Sequence, residues 1–187
     1  MKFSMKKVTV FLADGFEEIE ALTVVDLLRR AKVYVDTVSI TDDYTVRGAH
    51  GIPVQTEDLI TEIDFKESDM IVLPGGMPGT TNLKEDENVR KAVQEAYDDG
   101  RYVAAICAAP TILADMGILK GKRATCYPDM ESEIEDAYLT GAPVATDENI
   151  ITSQGVGTAI DFALKLIEVL ISEEKAVEIA DSIVYQR

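Results

Sequence analysis

The segment Tyr102 to Leu119, YVAAICAAPTILADMGIL, puts a thiol where a thiol can be used. A short apolar run stops at Cys107 and a helix-like segment begins at once. The unpartnered N–H groups of a first helical turn carry the positive end of the helix dipole and favour thiolate over thiol. Pro110 suits that turn, where its missing N–H costs nothing. A sharp strand-to-helix elbow also exposes a nucleophile at the carboxyl end of a strand, where open α/β sheets hold their sites. Position alone leaves a second reading open, an inert core thiol, because free cysteines are among the most buried residues.

Two other turns follow buried runs, Asp14 to Glu20 and Pro74 to Gly79. In a doubly wound sheet these turns and the Cys107 elbow open on the same edge and converge on one pocket. They would bring together a nucleophile, a carboxylate and a glycine turn. Gly75 and Gly76 allow backbone N–H groups to approach an anion closely, as an oxyanion site requires.

The elements that must position these groups read as an alternation of strands and helices. Lys7 to Ala13 is a continuous apolar run ending at Asp14-Gly15, and Glu18 to Ala31 is a helix with Ile19, Leu22, Val25 and Leu28 on one face. Tyr34 to Ile40 alternates as a second strand. Asp42 to Glu57 reads as a hairpin outside the main sheet, with Gly48 to Gly51 at its turn. Further strands are expected at Asp69 to Leu73, Arg123 to Tyr127 and Asn149 to Ser153. Further helices are expected at Glu87 to Tyr97, Asp129 to Ala137, Gly157 to Ile171 and Glu173 to Tyr185. This order implies a mostly parallel sheet covered on both faces, in one domain spanning residues 1–187.

A formal net charge of -16 disfavours nucleic acid and anionic membrane as partners, since phosphate would be repelled. The two cysteines, Cys107 and Cys126, are too few for a disulfide framework and fit a reducing cytoplasm. Zinc-ligand spacing is absent. The lysine-flanked N-terminus has too short an apolar run for a signal peptide, and the apolar stretch Ala159 to Ile171 is broken by Asp161, Lys165 and Glu168. Cys126 reads as a packing residue. The Gly155-Val156-Gly157-Thr158 turn reads as a packing turn near the pocket rather than a phosphate cradle.

VLPGG at Val72 to Gly76, AAICAAP at Ala104 to Pro110 and TSQGVGTAIDFAL at Thr152 to Leu164 occur in this order along the chain. With them the sequence resembles the ThiJ/PfpI superfamily over essentially its whole length, in the branch around Parkinson disease protein seven and its bacterial chaperone/deglycase relatives. The resemblance implies a flavodoxin-like three-layer α/β sandwich, a homodimer, no cofactor and no metal. It implies that Cys107 is a reactive cysteine with Glu20, the last acid of GFEEIE, as its partner. A protonated carboxyl there can donate to a thiolate, so Glu20 is expected to hold a proton near neutral pH. Amides near Gly75, Gly76 and Ala108 would hold an oxyanion.

The sequence also departs from the family. Ala108 stands where some relatives have a histidine, which removes the base a protease reading needs. Tyr127 replaces another family histidine and is a poor base at pH 7. His50, the single histidine, aligns with an arginine that reaches the partner's pocket, so His50 and Arg30 are expected near Cys107 across a dimer interface. The implied chemistry is glyoxalase or deglycase action on methylglyoxal, a small reactive carbonyl, or on its early adducts with damaged protein. The alternative is a peroxide-sensing redox chaperone that oxidises Cys107. Thiazole monophosphate synthesis lacks a basic phosphate cluster beside the elbow.

Overall fold

Strand β1 (Lys7–Leu12) sends Val8, Val10 and Leu12 to one face of the sheet and Phe11 to the other. Both faces are buried, so the run reads as continuously apolar. The computed structural model describes residues 5–186. Residues 1–4, the start of the lysine-flanked N-terminus, and residue 187 lie outside the described residues.

After β1 come α1 (Glu18–Arg30), β2 (Tyr34–Ser39), the hairpin strands β3 (Thr45–Arg47) and β4 (Pro53–Gln55), and the short β5 (Asp58–Leu59). Then follow β6 (Met70–Leu73), α2 (Gly79–Glu85), α3 (Glu87–Asp98), β7 (Tyr102–Ile106) and α4 (Pro110–Asp115). The last third holds β8 (Arg123–Ala124), β9 (Tyr138–Leu139), β10 (Val144–Asp147), β11 (Ile150–Ser153), α5 (Ala159–Leu170) and α6 (Glu173–Ser182).

The central sheet has seven strands in the order β10-β11-β7-β6-β1-β2-β5. All its pairs are parallel except β10 with β11. One core joins α1, α5 and α6 to Val8, Val10, Leu12, Val72, Ala104 and Ile106; the other joins α3 and α4 to Phe11, Ile71, Leu73, Val103 and Ala105. This is the flavodoxin-like three-layer arrangement, with the small antiparallel β3–β4 hairpin outside it. The chain leaves β1 toward β2 on one side and returns to β6 on the other. The turns after β1, β6, β7 and β11 therefore open on one edge at a topological switch point.

Several expectations change. Along α1 the buried face is Ala21, Val24, Val25, Leu27 and Leu28, while Ile19 and Leu22 are exposed. A row of residues three apart slips about 60° around a helix at each step, so Ile19 and Leu28 end up on opposite sides. Within the expected strand Arg123 to Tyr127, only Arg123–Ala124 is extended, and it pairs with β9 outside the central sheet. The acidic stretch from Asp129 forms a 3₁₀ turn, Pro128–Ile134. Helix α2 escaped a periodicity argument because Leu83 is its only large apolar residue, and β10 is an edge strand of mostly small or polar residues. Among the described residues no helix is long and apolar enough to cross a membrane.

Phe162 on α5 is fully buried in the core beneath α1. Phe162→Ala is expected to lower unfolding free energy by about 3–5 kcal/mol, read as a lower urea midpoint at unchanged slope.

Candidate active site

Cys107 sits at the turn from β7 into α4 with φ 65°, a left-handed conformation that costs a non-glycine residue about 1–2 kcal/mol. Two backbone hydrogen bonds hold it there. Its N–H donates to the Ser153 carbonyl at 2.9 Å, and its own carbonyl accepts from Tyr127 N–H at 2.8 Å. The first of these ties the elbow to the end of β11, which runs beside β7. Pro110 opens α4 as expected, but that helix has only six residues. The N–H groups that favour negative charge on the sulfur are those of Ala108 and Gly76.

Glu20 reaches the pocket from the first turn of α1 and is fully buried. Its Oε2 accepts from Gly75 N–H at 2.9 Å. Its Oε1 is buried with no oxygen or nitrogen partner among the described residues, and the thiol of Cys107 is the group it couples to. A Cβ on Gly75 would lie 2.6 Å from Cys107 Cβ and 2.7 Å from Glu20 Oε2, so only glycine lets the three turns close together. Gly76 has φ 91°, which presents its N–H toward the sulfur.

The electrostatics follow from burial. Removal from water pushes Glu20 up to about 7, against the hydrogen bonds from Cys107 and Gly75, and the nearby Glu17 charge adds to the rise. Burial pushes the Cys107 thiol up to about 12; the Glu20 charge and hydrogen bond raise it further, while the Ala108 and Gly76 amides pull it back. These values belong to a coupled pair. One proton leaves near neutrality, and the second is retained to high pH. Between the two steps a single negative charge is shared, and the thiolate is the form in which Glu20 keeps the proton and donates it to sulfur. The helix dipole expected to activate Cys107 is thus a lesser influence than burial and Glu20.

The other expected residues divide. Ala108 adjoins Cys107, and Tyr127 is 44% exposed at the mouth of the pocket, with its ring near Gly155. His50 is bound to its own chain: its Nδ1 lies 2.8 Å from Glu18 Oε2, and its N–H donates to Glu18 Oε1 at 2.8 Å. The Glu18 hydrogen bond and the charges of Glu17 and Glu18 raise the imidazole above its ordinary value. Arg30 pairs with Asp26 at 2.9 Å, about 15 Å along α1 from Glu20, so it does not enter its own chain's pocket. Cys126 is buried with its Sγ 3.3 Å from the Tyr127 carbonyl, a packing thiol raised to about 11 by burial.

The Gly155 amide donates to Thr158 Oγ1 at 3.1 Å and is not free for a phosphate. Residue types alone gave no role to Glu17, whose charge bears on Glu20, while the turn expected to pack near the pocket does bring Gly155 beside the sulfur. Among the described residues, Glu17, Glu18 and His50 form a group of possible metal ligands with their donor atoms within 4.8 Å of one another. Within that group the imidazole Nδ1 is already bonded to Glu18. A groove of about 430 Å³ beside α2 holds Lys84 and Arg90, both already paired with Asp115.

Fold and site together define a flavodoxin-like α/β protein with a cysteine elbow beside a buried carboxyl group. The chain belongs to the DJ-1/PfpI family, whose model matches residues 6–169. It is 39% identical to Protein DJ-1 homolog B of Arabidopsis thaliana over 98% of this chain, but spans only 42% of that relative. It is 34% identical to the glutathione-independent glyoxalase DJ-1 of Schizosaccharomyces pombe, covering 91% of this chain and 94% of the relative. The solved structure of oxidized Toxoplasma gondii DJ-1 superposes with a TM-score of 0.93 at 36% identity, covering 97% of this chain and all of that one.

The raised Glu20 has a testable sign. The native state binds its proton more tightly than the unfolded chain, so the Glu20 contribution is full below about 4.5 and is lost as pH rises through about 7. The difference in unfolding free energy, wild type minus Glu20→Gln, is expected to fall by about 3 kcal/mol across that window. Urea unfolding at a series of pH values measures it.

Proposed function

We propose that this chain is a glyoxalase or deglycase that uses Cys107 to convert methylglyoxal, or its early adducts on protein, to the hydroxy acid. The observation that carries the reading is the buried Glu20 Oε1, which has no oxygen or nitrogen partner among the described residues and is coupled to Cys107. Kinship with a glutathione-independent glyoxalase supports the same class of chemistry.

In this mechanism Cys107 sulfur adds to the aldehyde carbon. A C–S bond forms, and the carbonyl pair becomes an alkoxide facing the Gly76 and Ala108 amides. Glu20 protonates the alkoxide to give the hemithioacetal and, as carboxylate, takes the proton from that carbon and returns it to the neighbouring one, while the hydroxyl proton passes from the first oxygen to the second. The first carbon is oxidised to a thioester and the second is reduced to an alcohol, so no external oxidant is required. Water then cleaves the thioester, releasing the acid and restoring the thiol. Tyr127 forms the mouth of the pocket in this reading.

A homodimer is part of the proposal. Ile19 and Leu22 on α1 and Ile52 on the hairpin are exposed apolar residues that a second copy would cover. His50 and Arg30 then have a role only if the partner's pocket lies beside them. We place the protein in the cytoplasm on its cysteine usage.

The second reading, a peroxide sensor or redox chaperone, draws on the same amides and on the oxidized Toxoplasma gondii relative. One experiment separates the two. Purified protein is assayed for lactate formation from methylglyoxal and, in parallel, for mass after mild peroxide. The glyoxalase reading expects turnover that falls at least 100-fold in both Cys107→Ser and Glu20→Gln. Turnover unchanged in Cys107→Ser refutes it. Two added oxygens on Cys107, with none on Cys126, favour the sensor.

A further inference from the structure

Gly155 follows β11 on the same sheet edge as Cys107, and its missing side chain leaves a carbon-sized space beside the sulfur. A Cβ at Gly155 would lie 3.8 Å from Cys107 Sγ, 3.9 Å from Glu20 Oε1 and 3.7 Å from Tyr127 Cδ2. These are ordinary van der Waals separations, so the point is a carbon-sized seat bounded by the nucleophile, the proton carrier and the pocket mouth. Its polar wall is Glu20 Oε1, which is buried and has no oxygen or nitrogen partner among the described residues. The glycine is not required by the backbone: its φ of 163° and ψ of -164° are extended values that any residue adopts.

We infer that Gly155 sets the substrate size limit, and that its seat accepts the substituent on the carbon next to the one the sulfur attacks. A point 3.8 Å from Sγ is where the third atom of a chain attached to sulfur falls. For methylglyoxal bound through its aldehyde carbon, the atom in the seat is the methyl group, with the second carbonyl oxygen turned away from it. The substrate class is therefore a 1,2-dicarbonyl whose second carbon bears a small group. Glyoxal carries hydrogen there and makes little use of the seat. A group larger than methyl has to project past Tyr127. The substrate assignment rests on the glyoxalase reading, whereas the existence of the seat rests on geometry alone.

The same turn supplies a control. A Cβ on Gly157 would meet nothing within 4 Å. Gly155→Ala, compared with Gly157→Ala and wild type, is expected to reduce the methylglyoxal-to-glyoxal ratio of kcat/KM at least 10-fold, the usual discrimination for one carbon in a pocket. Gly157→Ala leaves the ratio within twofold. A second measurement needs no turnover. Iodoacetamide places a three-atom chain on the sulfur and peroxide places a single oxygen, so Gly155→Ala is expected to slow Cys107 alkylation at least 10-fold relative to its oxidation.

If turnover is absent from wild type but alkylation shows this dependence, the seat stands and the glyoxalase reading fails. If the alkylation ratio is the same in all three proteins, the seat is refuted whatever the turnover. Should Gly155→Ala unfold, Tyr127→Ala decides the matter in an intact pocket, because removing that wall is expected to speed modification by N-ethylmaleimide more than by iodoacetamide. Equal effects on the two reagents overturn the inference.

Discussion

One buried contact governs this molecule: a carboxyl group and a thiol, each unfavourable as an anion out of water, held so that they share a single charge. Neither is well placed alone. Glu20 has one oxygen satisfied by the Gly75 amide and the other left to the sulfur, and Cys107 has the Gly76 and Ala108 amides on its remaining sides. Above about 7 the pair resolves the conflict by keeping one proton between them. In the thiolate form the carboxyl is neutral, and it joins the Gly76 and Ala108 amides in donating to the sulfur.

Much of the surrounding fold serves that arrangement. Parallel strands β11, β7, β6 and β1 lie side by side, so their carboxyl ends deliver Gly155, Cys107, Gly75 and the start of α1 to one small volume. The two glycines after β6 permit an approach that any side chain would block. The left-handed Cys107 donates its N–H to the Ser153 carbonyl on β11 and accepts at its carbonyl from Tyr127 N–H, so two backbone hydrogen bonds offset a costly backbone conformation. The hairpin closes the outside of the same corner, with the Ala49 amide on the Phe16 carbonyl and His50 on Glu18.

The alternating strands, the hairpin, the elbow and the convergence of three turns were legible in residue order, because buried parallel strands and glycine turns have distinct local chemistry. Exposure was less legible. Ile19 and Leu22 look like core residues by spacing, yet they face outward, because a three-residue repeat winds around a helix. Glu20 was readable as the acidic partner only through family resemblance, since a first-turn acid is ordinarily solvated. The opposing pulls on Cys107 could not be read locally at all: burial and the Glu20 charge come from tertiary packing, while the amides of Gly76 and Ala108 come from separate turns. His50 illustrates the same limit, for its place beside Glu18 depends on how the hairpin docks on α1.

The shared charge is tested most directly by the pH dependence of Cys107 alkylation, measured in wild type and in Glu20→Gln. If Glu20 and Cys107 titrate as one pair, wild-type reactivity rises with a midpoint near 7, below the ordinary thiol value of about 8.5. The Glu20→Gln protein loses that step. A single rise at or above the ordinary thiol value, identical in both proteins, would show that the two groups titrate independently and would contradict the account.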